Sequence, residues 1–81
     1  MIVTVLYFAQ ARERAGRPSE VLELASGARL DDAVAAIRAA HRELDPLWDH
    51  LAIAADGVLA PGDAVLRDGA EIALLPPVSG G

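Results

Sequence analysis

One amphipathic helix set between β-rich segments constrains the fold of this 81-residue chain more than any other feature. Leu30, Ala33, Val34 and Ile37 recur at the spacing of one helix face and predict a helix at about residues 30–40. Alternating or β-branched segments on both sides predict strands. The predicted strands are residues 2–8, 19–24, 51–55, 58–59 and 71–75. Two strands, a crossing helix and returning strands predict an α+β fold, with one sheet and the main helix packed on one face.

Turn and helix signals predict the connections between these segments. Residues 9–15 are good helix formers and stop before Gly16, a residue typical of helix C-termini. The pair Asp56-Gly57 predicts a β-hairpin turn, and Asp45-Pro46 predicts a loop or a single helical turn. Residues 65–66 are expected to form a short strand at a sheet edge.

Composition argues against several classes of function. The chain has no cysteine, which excludes disulfides and thiolate metal sites within it. Its net charge of −5 argues against nucleic acid as a partner, because that binding needs clustered cations. No apolar run approaches the roughly 20 residues that span a bilayer, so we expect a soluble cytoplasmic protein without a membrane partner. His41 and His50, the only histidines, are expected at the surface or at helix ends, and no metal site is predicted.

The C-terminal six residues form a pattern typical of a carboxylate that is delivered into another protein's active site. They are Pro76, Pro77, Val78, Ser79, Gly80 and Gly81. Prolines favour an extended path, and glycines without a Cβ can thread a narrow channel. We therefore expect a domain at residues 1–75 and a flexible tail at residues 76–81. The alternative is a frayed terminus whose glycines carry no function.

Three segments together resemble the small, sulfur-carrier subunit of molybdopterin synthase, a ubiquitin-like β-grasp family. They are Phe-Ala-Gln-Ala-Arg-Glu at residues 8–13, Asp-Gly-Ala-Glu-Ile at residues 68–72, and the Pro-Pro-Val-Ser-Gly-Gly ending. The resemblance covers essentially the whole chain, and the ending is its specific part. One departure is Asp56, since the family often has asparagine in that turn. The resemblance implies a β-grasp fold, a mixed sheet with one main helix and a flexible Gly-Gly tail.

The resemblance also implies a chemistry for the terminus. Gly81 would be adenylated, converted to a thiocarboxylate and would donate its sulfur to cyclic pyranopterin monophosphate. Gly80 would supply steric clearance, and residues 76–79 would hold and guide the tail. No permanently bound cofactor and no catalytic residue of its own are implied, only a C-terminal 1-thioglycine. The activating partner, a ubiquitin-activating-type adenylyltransferase, would consume the ATP, and the assembly with the large synthase subunit would be a heterotetramer.

Apolar residues near the base of the tail are candidates for the partner interface. In the β-grasp sheet that the resemblance implies, Phe8, Leu59 and Leu75 would lie on or near the face opposite the helix, where exposed apolar area marks an interface. Ordinary core packing is the alternative for each. Arg12 is a further, weaker interface candidate at the rim.

Three other functions stay open on the sequence. A sulfur carrier for thiamine thiazole synthesis would keep the fold and the Gly-Gly ending. A ubiquitin-like protein modifier would join the same terminus to lysines of target proteins. A β-grasp interaction domain would use no terminal chemistry at all.

Overall fold

The computed structural model describes residues 1–77, which form a five-stranded mixed sheet with the main helix on one face. Its strands are β1 (Ile2–Tyr7), β2 (Ser19–Glu23), β3 (Ala52–Ala55), β4 (Val58–Leu59) and β5 (Glu71–Leu75). Its helices are α1 (Ala9–Ala15), α2 (Leu30–Ala40) and a 3₁₀ segment (Arg42–His50). The predicted α+β architecture is confirmed. The predictions for Val78, Ser79, Gly80 and Gly81 fall outside the described residues.

The sheet order is β2-β1-β5-β3-β4, with β1 and β5 parallel at its centre and every other pair antiparallel. A parallel pair needs a long crossover connection, which α2 and the segments around it provide. Tyr7 pairs with Leu74, so β1 and β5 end side by side. The chain therefore enters residues 76–81 from the middle of the sheet, beside the start of α1.

The core lies between one face of the sheet and the apolar stripe of α2. Alternation along the central strands turns Val3, Val5 and Tyr7 of β1 and Ile72 and Leu74 of β5 toward the helix, all of them buried. The buried residues of α2 are Leu30, Ala33 and Ile37. The predicted helix face is therefore confirmed.

The predicted helix end at Gly16 and the predicted hairpin turn at Asp56-Gly57 are confirmed, and both use left-handed backbone. Gly16 ends α1 with φ of +76°, and Asp56 and Gly57 have φ of +51° and +84° in the β3–β4 hairpin. Two positive φ values in succession are what a tight two-residue hairpin turn requires, which Asp-Gly satisfies at low cost. No helix within residues 1–77 is long and apolar enough to span a bilayer.

Two local predictions were wrong. Residues 42–50 form nine residues of 3₁₀ helix instead of a loop or a single turn. Leu44 and Leu47 are buried in the core, and their packing fixes the conformation of the segment. Residues 65–66 form no edge strand; only one isolated bridge joins Val65 to Arg29. The backbone there pairs with the region around the start of α2 instead: the Leu30 N–H donates to the Ala64 carbonyl, and the Leu66 N–H to the Ala28 carbonyl, both at 2.9 Å.

Candidate functional site

The sheet face turned away from α2, which we call the outer face, is apolar near the end of β5. Strand register places Leu6 beside Ala73, and Ala73 beside Ala54. Leu75 is paired with Ala52 at the last position of the sheet. Side chains at paired positions share a face, so these residues form one continuous surface that no helix covers.

Phe8, Leu59 and Leu75 all belong to this outer face. Phe8 is 45% exposed and Leu59 is 67% exposed, whereas Leu75 is partly buried. Core packing therefore accounts for neither Phe8 nor Leu59. From β1 to β4 the surface crosses three strand spacings, about 14 Å. We call Leu6, Phe8, Ala52, Leu59, Ala73 and Leu75 the apolar patch; its role as an interface stays a prediction.

Phe8 keeps its place on the patch because the backbone turns sharply just after it. Phe8 itself is extended, with φ of −120° and ψ of 150°, so it continues the alternation of β1 beyond Tyr7. Ala9 then takes a φ of +48° and the chain enters α1. The Phe8 carbonyl accepts hydrogen bonds from the N–H groups of Ala11 and Arg12, at 3.0 and 3.3 Å. Arg12 is exposed in the last turn of α1, four residues after Phe8, and is not part of the patch.

Leu59 is positioned by the hairpin that Asp56 anchors. Asp56 Oδ1 accepts a hydrogen bond from the Glu71 N–H at 3.0 Å, which ties the turn to the beginning of β5. Its Oδ2 accepts from Arg67 Nε at 3.2 Å. The aspartate therefore supplies both a backbone conformation and a side-chain contact at the turn. Leu59 follows three residues later, paired with Ala54.

The base of the tail adjoins the patch directly. Leu75 is the last residue of β5, Pro76 is partly buried and Pro77 is exposed. Among residues 1–77, no three histidine, cysteine or acidic side chains come together in a way that could hold a metal ion. Chemically, this part of the molecule offers exposed apolar area beside Pro76 and Pro77.

A polar cluster that the sequence did not reveal lies on the other side of the same end. Tyr7 Oη and His41 Nε2 both lie against Glu20 Oε1, and His41 Nδ1 is 2.8 Å from Glu43 Oε1. The His41 side chain is 13% exposed, and the expectation of a surface or helix-end histidine holds only in part: it ends α2, but its ring is enclosed. Arg17 donates to Glu20 Oε2 at 3.2 Å.

The cluster shifts the pKa values of Tyr7, Glu20 and His41. Burial raises the pKa of the Tyr7 hydroxyl, and its hydrogen bond to Glu20 raises it further. For Glu20, burial would raise the pKa, but the hydrogen bonds from Tyr7 and His41 outweigh it and the pKa is lowered. For His41, burial would lower the pKa, but the bonds to Glu43 and Glu20 outweigh it and the pKa is raised. Charged Glu20 and charged His41 therefore stabilise each other.

Curated relatives align with the chain along its length. The molybdopterin synthase sulfur carrier subunit of Chlamydomonas reinhardtii is 42% identical over 83 residues, which cover 100% of both chains. The subunit of the same name from Mycobacterium tuberculosis is 32% identical and covers 98% of this chain and 96% of its own. The first of these alignments covers the whole chain and therefore includes residues 76–81.

Solved structures and a family model agree with the fold. SAMP1 from Haloferax volcanii superposes with a TM-score of 0.92 at 29% identity, covering 100% of both chains. A chain from the complex of subunits 1 and 2 of the molybdopterin-converting factor from Helicobacter pylori has a TM-score of 0.75 at 29% identity, with the same coverage. These likenesses confirm the ubiquitin-like β-grasp fold. The model of the ThiS family matches residues 5–81, and the chain belongs to the ThiS family.

Proposed function

We propose that this chain is the sulfur-carrier subunit of a molybdopterin synthase. The observation that carries the proposal is the exposed apolar patch beside the base of the tail, where Phe8 and Leu59 are 45% and 67% exposed. Exposed apolar area of this kind favours a protein partner. The full-length likeness to molybdopterin synthase sulfur carrier subunits supplies the pathway.

The proposed partner at the patch is the large synthase subunit. A likeness to a chain of the Helicobacter pylori subunit 1 and 2 complex supports such a pairing. Phe8, Leu59 and Leu75 would bury their exposed area against the partner, with Arg12 at the rim. Because Leu75 continues into Pro76, docking at the patch would direct the tail into the partner. The proposed assembly is a heterotetramer with a carrier on each of two large subunits.

The proposed chemistry takes place at the Gly81 carboxylate. A carboxylate resists nucleophiles because of its charge and its poor leaving group. In the active site of an adenylyltransferase, a carboxylate oxygen would attack the α-phosphate of ATP, forming an acyl-adenylate and releasing pyrophosphate. A sulfur nucleophile would then displace AMP to leave the thiocarboxylate, the 1-thioglycine. That sulfur would go to cyclic pyranopterin monophosphate, with every catalytic side chain and the ATP site provided by partners.

Residues 76–80 would serve delivery of that terminus. Pro76 and Pro77 fix their φ angles and favour an extended path away from β5. Gly80 would let the backbone pass a narrow channel without a Cβ. Six extended residues reach roughly 20 Å, enough to enter a partner's active site from the patch.

Intact-mass measurement tests the carrier chemistry. The purified chain is incubated with ATP, the adenylyltransferase and a sulfur donor. We expect a gain equal to the replacement of one oxygen atom by sulfur, and none in a matched chain lacking Gly81. Adding the large subunit and cyclic pyranopterin monophosphate should return the mass to its original value, which distinguishes this pathway from thiazole synthesis. An unchanged mass with enzymes that modify a known carrier would overturn the proposal.

Protein modification is a second candidate, favoured by the likeness to SAMP1, the small archaeal modifier protein 1. It uses the same activated terminus, but the acyl group would pass to a lysine amine of a target instead of to sulfur. Without a sulfur donor, a modifier should form amide-linked adducts on added lysine-bearing proteins once the adenylyltransferase and ATP are present. Recovery of unmodified targets, together with thiocarboxylate when sulfur is supplied, would reject it.

A further inference from the structure

The corner between α2 and the 3₁₀ segment is joined to the β1–β2 hairpin through the ring of His41. Nε2 lies against a carboxylate oxygen of Glu20, and Nδ1 is 2.8 Å from a carboxylate oxygen of Glu43. A neutral imidazole has one N–H and one lone pair, so one ring nitrogen would point its lone pair at a carboxylate. Only the imidazolium donates from both nitrogens. The geometry therefore favours a protonated ring between two charged carboxylates.

We propose that protonated His41 is a pH-dependent clasp that fastens the α2 corner to the sheet at its tail-bearing end and opens as the ring loses its proton. This inference is independent of the proposed function. Glu20 also accepts from the Tyr7 hydroxyl, so the clasp reaches β1 one residue before Phe8. The Tyr7 and His41 rings also pack edge to face, with 5.8 Å between their centroids, so the clasp includes an aromatic contact as well as hydrogen bonds.

Charged groups from every neighbouring element surround His41. Glu20 comes from β2 and Glu43 from the 3₁₀ segment, giving two negative charges around the ring. Arg17, from the turn before β2, is bonded to the far oxygen of Glu20. Arg14 of α1 donates to the Glu43 backbone carbonyl at 3.5 Å. Tyr7 is neutral and donates. With the ring protonated, His41 is the cation between two carboxylates.

The sign of the pH dependence follows from that arrangement. The native state holds the His41 proton more tightly than the unfolded chain, whose ordinary histidine pKa is 6.5. The clasp therefore contributes fully below pH 6.5, and its contribution is lost as the pH rises through the pKa of the folded state. Above that pKa, one ring nitrogen faces a carboxylate without a proton between them.

Two measurements on the whole chain test the clasp. NMR titration of the two histidine rings should show His41 titrating above 6.5. The ring signals of Tyr7 should shift over the same pH range. Thermal unfolding between pH 6 and 9 should show the Tm of the native chain falling by about 5 °C. In His41→Gln, which cannot titrate, the Tm should stay level across that interval. His50→Gln, which removes the other histidine, should follow the native chain.

A His41 ring that titrates at or below 6.5 would overturn the clasp. So would parallel Tm profiles for the native chain and His41→Gln. If His41→Gln does not fold, Glu43→Gln offers a milder variant, because it removes one of the two carboxylate charges and leaves Glu20 in place. It should lower the measured His41 pKa relative to the native chain, and an unchanged value would count against the proposal.

Discussion

Ala9 has a φ of +48°, in the left-handed region that costs an L-residue with a Cβ about 1–2 kcal/mol. The position is the junction between β1 and α1, directly after Phe8. Glycine has no Cβ to clash there, although it loses more entropy on folding. We expect Ala9→Gly to raise the free energy of unfolding by about 0.5 kcal/mol, measured by urea denaturation.

Ala35→Gly is the matched control for that substitution. Ala35 is exposed in the middle of α2, where the backbone is helical, and glycine should cost about 1 kcal/mol. The two alanines should therefore respond with opposite signs. A loss of stability in both variants would show that the strain at Ala9 does not exist in solution.

A second prediction for a single residue concerns the stability of the chain at acidic pH and depends on Glu20. Its lowered pKa means that the native state favours the carboxylate, so its contribution is present above the ordinary value of 4.5 and lost as the pH falls through the folded pKa. Hydrogen bonds to a charged group contribute roughly 1.5–3 kcal/mol. At pH 6, Glu20→Gln should unfold more easily than the native chain by about that amount, and the gap should narrow below pH 4.5.

Glu23→Gln controls for the loss of one negative charge from β2. Glu23 lies on the same strand but is exposed, so its variant should track the native chain within about 0.5 kcal/mol at every pH. Chemical denaturation at pH 3.5, 4.5 and 6 measures both variants. A gap between native chain and Glu20→Gln that does not change with pH would argue for a packing role of Glu20 instead of an ionic one.

At the scale of elements, α2 begins without a side-chain cap from its N-cap residue, and Asp32 supplies a hydrogen bond there instead. Arg29 occupies the N-cap, and its backbone N–H donates to Asp32 Oδ2 at 2.8 Å. Asp32→Ala should lower the free energy of unfolding by about 1 kcal/mol. Asp31 also lies in the first turn but accepts no bond from the N-cap N–H, so Asp31→Ala should cost only the dipole interaction, about 0.5 kcal/mol. Equal losses of unfolding free energy in the two variants would contradict the capping role of Asp32.

The elements with a strong period could be predicted from the sequence. Leu30, Ala33 and Ile37 repeat along a helix face, and Val3 and Val5 alternate along a strand, because each set buries one side against the core. The 3₁₀ segment carries no such signal. Pro46 lies inside it, and burial of Leu44 and Leu47 in the core determines its conformation. Tertiary packing decided what local preference could not.

The candidate site likewise has a part that local sequence features predict and a part that only tertiary packing creates. The exposed positions of Phe8 and Leu59 follow from strand alternation and from the Asp56-Gly57 turn, both local features. The cluster around His41 depends on the meeting of three segments, with His41 and Glu20 separated by 21 residues in sequence. Only the assembled fold brings them together, so no spacing along the chain announces the clasp.

At the scale of the whole molecule, the two faces of the sheet differ in burial, and under the proposed function they have different roles. The inner face buries Val5, Ile72 and Leu74 against the helix and supplies stability. The outer face exposes Phe8, directly after β1, and Leu59, on the edge strand β4, on either side of the strand that leads into the tail. A substitution on the outer face should therefore weaken partner binding with little effect on folding. A substitution on the inner face should lower the free energy of unfolding without removing a contact to the partner.

Leu59→Glu tests that separation against the large synthase subunit. A charge on the apolar patch should weaken binding by about 2 kcal/mol, or roughly a thirty-fold rise in Kd by calorimetry. Val65→Glu is the control, because Val65 is 63% exposed and apolar but lies outside the patch; its Kd should stay within about two-fold. Both variants should keep the native Tm. If both bind like the native chain, docking uses another surface; if both lose affinity equally, net charge governs binding and the patch has no special part in it.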